Sequence, residues 1–304
     1  MDISEMIKTV RDMPDAQYAN LWDSIVVERS IKDRLLRSAA LSLRLRAELL
    51  FEATALHGLA FLYGPPGTGK TTLARGLAYQ LAPLTTQRKT RFIEVNPHGL
   101  MSAEHGQSQR RVTELLTEHL PSMVDDGIPT VVLLDEVESM VVARSQASLA
   151  ANPADVHRAT DAVLTAIDSN ASALPHVFFI ATSNFTGAID EAFLSRADVA
   201  IHVPTPDVPG ILAILKATLE AMAKAFPSLA KLASRPQLEQ VAKALAGSDG
   251  RRIRKTVSEA MLGRLETVIE PGDLTIEDLM LAAGRIQPSD QMPQTKSGGR
   301  NGTN

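Results

Sequence analysis

The sequence predicts an α/β fold, a parallel sheet flanked by helices, followed by a small all-helical domain. Three observations predict it: five short apolar runs separated by helical segments, a glycine-rich turn between the first run and a helix, and purely helical patterning after prolines 204, 206 and 209. Runs that are apolar at successive positions are strands buried on both faces, as parallel sheets require.

Residues 1–20 are polar and weakly patterned and read as a short N-terminal segment. L-W-D-S-I-V-V (21–27) leads into a run from Ile31 to Leu50 whose leucines recur at helical spacing. The strand-like runs are G-L-A-F-L-Y at 58–63, T-R-F-I-E-V at 90–95, T-V-V-L-L-D at 130–135, H-V-F-F-I-A-T-S at 176–183 and V-A-I-H-V at 199–203. A boundary near Pro206 leaves 21–206 as the large α/β domain and 207–286 as the small helical one. Beyond 286 the composition turns to Gln, Ser, Pro, Gly and Asn, so 287–304 reads as a disordered tail.

With 304 residues, 44% apolar and 22% charged, the chain has the composition of a soluble protein with two packed units. No apolar run reaches the roughly 18 residues of a membrane span. The start, M-D-I-S-E-M-I-K, lacks a secretory pattern and the chain has no cysteine, which places the expectation in the cytoplasm. A net charge of −4 argues against general nucleic-acid binding, which relies on a positive field.

Gly64-Pro65-Pro66-Gly67-Thr68-Gly69-Lys70-Thr71 fits G-x-x-x-x-G-K-[ST] between a strand and a helix, where the motif works. Chance would produce the pattern with a probability of roughly 0.004 in a chain of this composition. Its glycines let backbone N–H groups cradle phosphates, Lys70 meets the β and γ oxygens, and the Thr71 hydroxyl can ligate Mg²⁺. Pro66, Gly67, Thr68, Gly69, Lys70, Thr71 and Thr72 are therefore the expected ATP-binding residues.

Asp135 and Glu136 end the third strand, at the sheet edge where ligands of such folds bind. An isolated Asp-Glu pair most often reads as a solvated strand end, but a phosphate loop upstream reverses that reading. Asp135 is expected to hold Mg²⁺ and Glu136 to take the proton of the attacking water. The next strand ends in Thr182-Ser183-Asn184, where the Asn184 amide would orient that water.

These motifs, in this order, resemble the AAA+ ATPases. L-W-D-S-I-V-V, G-P-P-G-T-G-K-T-T-L, L-L-D-E-V-E-S-M-V-V-A-R, T-S-N-F-T-G-A-I-D-E-A-F-L-S-R-A-D and D-G-R-R-I-R-K look like the pachytene-checkpoint branch, over about residues 20–285. The resemblance implies a P-loop NTPase core with a helical lid, a homohexamer, ATP and Mg²⁺ as ligands, and a HORMA-domain protein as the remodeled partner. It also implies Walker A roles for Lys70 and Thr71, Walker B roles for Asp135 and Glu136, and a first-sensor role for Asn184. Arg196 would be an arginine finger reaching a neighbouring subunit, and Arg251 a second sensor. Ile25 and Val26 would contact adenine, with core packing as the equal alternative, and the basic run from Arg251 to Lys255 also reads as a solvated helix start.

Two departures accompany it. Only about twenty residues precede the matching segment, so recognition without an adaptor domain is expected, with a bacterial member of an antiphage signalling system as the implied setting. In N-P-H-G-L-M-S-A-E-H-G-Q-S-Q-R-R-V (96–112), Glu104-His105 stands where relatives carry an aromatic pair in the loop lining the hexamer pore. Leu100 and Met101 are then the most apolar groups for gripping a peptide, with Glu104 and His105 at the tip, and the expected grip is weak. The rival readings are a DNA-linked clamp-loader or helicase-loader ATPase and a nucleotide-binding scaffold without turnover. The acidic pI opposes the first, and Lys70, Glu136, Asn184 and Arg196 together oppose the second.

Overall fold

The computed structural model describes residues 3–100, 107–141, 153–185 and 189–285. The chain divides into two compact units that meet between Thr205 and Pro206. Among the described residues, no helix is long and apolar enough to cross a membrane.

The first unit is built on six strands: β1 (Ile7–Met13), β2 (Leu59–Tyr63), β3 (Thr90–Val95), β4 (Thr130–Leu134), β5 (Val177–Ser183) and β6 (Val199–His202). Their order in the sheet is β1-β3-β4-β5-β2-β6, and β2 to β6 are mutually parallel. The apolar runs become strands because both sheet faces are covered, and successive residues serve opposite cores. Phe61, Ile93, Val132 and Phe179 point into one core, closed by the Pro153–Ala173 helix. Leu62, Phe92, Val131, Leu133 and Phe178 point into the other, under the Arg29–Glu48 and Lys70–Leu81 helices. A one-residue slip of any strand would exchange its two faces and misplace every residue at its C-terminal end.

β1 corrects the expected N-terminal segment. It is an antiparallel edge strand on β3, in register from Val10↔Ile93 to Met13↔Thr90. As an edge with one solvated face it needs little apolar sequence; Met6 and Met13 are its buried anchors. Its charges pair across the sheet, Lys8 with Glu94 at 2.8 Å and Asp12 with Arg91 at 2.9 Å.

Arg46 closes the first unit from within. It is 5% exposed, and its guanidinium donates to the carbonyls of Val177 at 2.6 Å and of Asn170, Ala171 and Leu174 at 3.1 to 3.2 Å. Two of those carbonyls, of Asn170 and Ala171, lie in the last turn of the Pro153–Ala173 helix and that of Leu174 just follows it, where the helix carries partial negative charge. Burial pushes Arg46 down to about 10, and the nearby Asp198 works in the opposite direction. Gly58, at φ 71°, leaves the guanidinium its room, since a Cβ there would overlap Arg46. Asp198 accepts from the backbone N–H groups of His57, Gly58 and Leu59 and from Ser42 Oγ, pinning the start of β2 beside β6.

The second unit is all-helical. Helices Val208–Met222, Leu238–Ala244, Gly250–Met261 and Ile276–Arg285 bury Ile211, Leu215, Val241, Ile253, Val257 and Leu279. Asp207 and Asp249 cap two of these helices, accepting from Gly210 N and from Arg251 N and Arg252 N. The expected tail, 287–304, lies outside the described residues.

Replacing Arg46 by Ala removes a donor shared by four carbonyls, of which those of Asn170 and Leu174 keep backbone N–H partners, and should destabilise the chain by about 2–4 kcal/mol in urea unfolding. Arg46→Lys should recover only part of that, because one ammonium cannot serve four acceptors. A loss under about 0.5 kcal/mol for Arg46→Ala would contradict the assignment.

Candidate nucleotide site

The turn after β2 is a phosphate cradle by backbone geometry. Gly67 and Gly69 sit at φ 77° and 95°, a region other residues enter at a cost, so the chain can turn its N–H groups inward before the Lys70–Leu81 helix begins. Lys70 is 6% exposed and its Nζ donates to the carbonyls of Gly64 and Pro65, each at 2.8 Å. Burial lowers its pKa, while the charges of Glu138, Asp135 and Glu136 act to raise it. Thr68 Oγ1 donates to Pro65 O at 3.0 Å, bracing the same turn.

The L-W-D-S-I-V segment packs onto this cradle. A Cβ at Gly69 would lie 2.6 Å from Ile25 Cδ1, and one at Gly76 would lie 2.7 Å from Trp22 N. Ile25 is 8% exposed within the core and Val26 is half-buried, so Ile25 supports the loop from behind through packing.

Asp135 ties the loop to the sheet. Its Oδ1 accepts from Thr71 Oγ1 at 2.8 Å and from Thr182 Oγ1 through a short hydrogen bond. Thr182 Oγ1 in turn accepts from Glu136 N at 3.1 Å. Parallel pairing of Leu134 with Ala181 puts the two strand ends side by side, which makes this bridge geometrically available. Glu136 adopts φ 51°, a left-handed conformation costing about 1–2 kcal/mol for a residue with a Cβ, and it stands exposed. Asn184 N donates to Glu138 Oε1 at 3.2 Å, linking the end of β5 to the turn that carries Glu136.

A buried ion-pair cluster adjoins the acids. Glu94, with a side chain 3% exposed, accepts from Arg75 at 2.9 and 2.7 Å and pairs with Lys8 at 2.8 Å. Arg75 lies on the helix that follows the phosphate loop. Burial disfavours the Glu94 carboxylate, but hydrogen bonds and charge from Arg75 and Lys8 hold it below its ordinary 4.5. A cleft of about 430 Å³ runs between this cluster and the acids, bounded by Lys8, Asn96, Pro97, Asp135 and Glu136.

Other expected site residues have surroundings of their own. Arg196 makes a two-pronged pair with Asp168 of its own chain, at 2.6 and 2.7 Å, and donates to Ala192 O at 2.7 Å. The pair raises Arg196 and lowers Asp168 from their ordinary values. Arg251 is exposed on the first turn of the Gly250–Met261 helix, in the second unit. Leu100 corrects an expectation: it is 1% exposed and belongs to the core, so it has no surface to offer a peptide. Met101, Glu104 and His105 lie outside the described residues.

Thr182, Glu138, Glu94, Arg75 and Lys8 belong to this site; Thr182 and Glu138 stand within the quoted T-S-N-F and L-L-D-E-V-E-S stretches without an assigned role, and Glu94, Arg75 and Lys8 carry no motif. Thr182 left a faint signal as a hydroxyl ending an otherwise apolar strand.

The residues present fit a magnesium nucleotide. The turn passes through left-handed glycines that allow its amides to face a phosphate, and the metal-side donors, a threonine hydroxyl and a carboxylate within hydrogen-bond distance of one another, are hard oxygens suited to Mg²⁺. No group of three or more acidic, His or Cys side chains that could hold a metal by itself occurs among the described residues.

Residues 60–205 match the model of the ATPase family associated with various cellular activities (AAA). The chain is 44% identical over 270 residues to CD-NTase-associated protein 6 of Pseudomonas aeruginosa, covering 89% of this chain and 88% of that protein. It is 31% identical over 288 residues to the pachytene checkpoint protein 2 homolog of Danio rerio, covering 86% of this chain and 68% of the relative. The Arabidopsis thaliana homolog is 36% identical over 219 residues, and the match spans 45% of its length. Among solved structures, C. elegans PCH-2 superposes with a TM-score of 0.72 at 24% identity, over 90% of this chain and 73% of that one. A chain of the E. coli MS115-1 HORMA:CdnC:Trip13 complex superposes with a TM-score of 0.77 at 15% identity, over 95% and 98%.

Because its folded-state pKa is depressed, Glu94 contributes stability that is full above about pH 4.5 and is lost as pH falls through its folded value. Glu94→Gln should therefore lower the melting temperature at pH 7 and flatten its decline below about pH 4.5. Parallel melting curves for both proteins across that range would refute the role given to this carboxylate.

Proposed function

We propose that this chain, which belongs to the AAA ATPases and within them to the pachytene-checkpoint family, is a ring-forming remodeler that uses ATP hydrolysis to change the conformation of a HORMA-domain protein. ATP hydrolysis is the reaction of the family. The observation that carries the mechanism is the Asp135 carboxylate, which joins the phosphate loop, the acid pair and the end of β5. The setting is proposed from relatives: one is named a CD-NTase-associated protein, and a chain of similar fold belongs to a complex with HORMA and CdnC. A homohexamer acting in antiphage signalling in a bacterial cytoplasm is part of the same proposal.

In this reading the backbone amides of residues 66–72 bind the phosphates, and Lys70 exchanges the Gly64 and Pro65 carbonyls for the β and γ oxygens. Thr71 and Asp135 would hold Mg²⁺, which when bound supplies a Lewis acid toward the phosphate oxygens. Glu136 takes the proton of the water that attacks the γ-phosphorus, releasing ADP and phosphate, and Asn184 orients that water. Arg196 of a neighbouring subunit neutralises charge on the transferred group, which requires its pair with Asp168 to open. Arg251 reports nucleotide state to the small unit, Val26 touches adenine, and Met101, Glu104 and His105 grip the partner.

Glu136→Gln should retain ATP binding, lose turnover by roughly a hundredfold or more, and retain a HORMA-domain protein in ATP. Turnover at the parental rate would remove Glu136 from the mechanism. Mixing Arg196→Ala with Lys70→Ala subunits should restore part of the activity, because some interfaces then combine an intact loop with an intact finger; uniform inactivity of all mixtures would count against a finger acting in trans.

A further inference from the structure

Glu138 lies two residues beyond the proposed base and has no part in the reading above. Its Oε1 accepts from Asn184 N at 3.2 Å, while its Oε2 is buried and has no hydrogen-bond partner. A buried carboxylate oxygen left unpaired is destabilising, and such a cost in a native site calls for an explanation. Packing does not supply one, because Val137 and Met140 on either side are fully buried and already fill the core.

The contact is placed where Asn184 needs it. Asn184 follows the last residue of β5, and among the described residues the turn it occupies is also held through Ser183, whose Oγ accepts from Phe185 N at 3.0 Å. Phe185 is 64% exposed, so its ring does not anchor the turn. The Glu138 carboxylate therefore fixes this backbone to the Val137–Ser139 turn, the same short element whose N-cap is Glu136. Its negative charge is also the foremost of the three that favour the charged form of Lys70.

We infer that Glu138 is a positioning residue for hydrolysis: by accepting the Asn184 N–H it locks the end of β5 to the base-bearing turn, so that the Asn184 amide and the Glu136 carboxylate address one water. The inference rests on the water-orienting role proposed for Asn184. Mispositioning a reacting group by about 1 Å costs up to roughly a hundredfold in rate, while phosphate binding depends on the loop and is spared.

The test is a double-mutant cycle on ATP turnover at saturating Mg²⁺-ATP, with nucleotide Kd and melting temperature measured for each variant. Glu138→Ala should lower kcat by roughly tenfold to a hundredfold and change Kd by less than about threefold. Glu138→Gln keeps an amide oxygen for the Asn184 N–H and should recover most of kcat. Adding Glu138→Ala to Asn184→Ala should lower kcat less than about twofold further, since the residue acts through a side chain already removed. Parental kcat in Glu138→Ala, a Gln variant as impaired as the Ala variant, or multiplying losses in the double variant would each overturn the inference and leave the Asn184 role standing. Parental kcat in Asn184→Ala would instead remove that role, and this inference with it. Should the Ala variant fail to fold, Glu138→Leu, which keeps the bulk of the side chain but offers the Asn184 N–H no acceptor, replaces it in the same cycle with the same expected and contrary results.

Discussion

A single carboxylate oxygen, Asp135 Oδ1, receives two hydroxyl protons, from Thr71 on the helix after the phosphate loop and from Thr182 on β5. The first links loop to sheet and the second links β4 to β5. Because Thr182 also accepts the Glu136 N–H, the same hydroxyl sets the left-handed turn that lifts Glu136 out of the sheet. Three segments far apart in sequence thus share one hydrogen-bonded point. That point exists only while β2, β4 and β5 keep their parallel register, which two fully buried faces enforce.

The sheet exacts a condition in return: charge inside it must be answered. Lys70 is answered by loop carbonyls and by acids beyond them, Glu94 by Arg75 and Lys8, and Arg46 by four carbonyls. Each arrangement joins elements that no apolar contact alone would orient. Arg75 and Glu94 fasten the phosphate-loop helix to β3, and Lys8 fastens β3 to the edge strand. Asn96 then donates to Glu5 O at 2.9 Å, so the segment leaving β3 is held by residues just ahead of β1. Nucleotide chemistry and the approach to the proposed gripping loop consequently share one continuous framework within the first unit.

Sequence made much of this legible, for identifiable reasons. The four internal strands and the edge strand β6 fall within one residue of their apolar runs, the internal ones because burial on both faces leaves little room for polar residues. β1 escaped because an edge strand with one wet face tolerates Lys8, Arg11 and Asp12, which blur its pattern. Leu100 misled because an apolar residue in a polar stretch looks available, whereas the backbone turns it into the core. Thr182, Glu138 and Arg46 act through partners 20 or more residues away, and no local spacing encodes such partnerships. Asp168 is hidden likewise, on a helix whose relation to Arg196 only the fold creates.

The proposed hydrolysis depends on the Thr182 hydroxyl, shared between Asp135 and Glu136. Its most direct test is the kcat of Thr182→Val, which keeps the shape of the side chain and removes only the hydroxyl. The account predicts a fall of roughly tenfold to a hundredfold with ATP affinity within about threefold of the parent. Turnover indistinguishable from the parent at equal ATP affinity would contradict it.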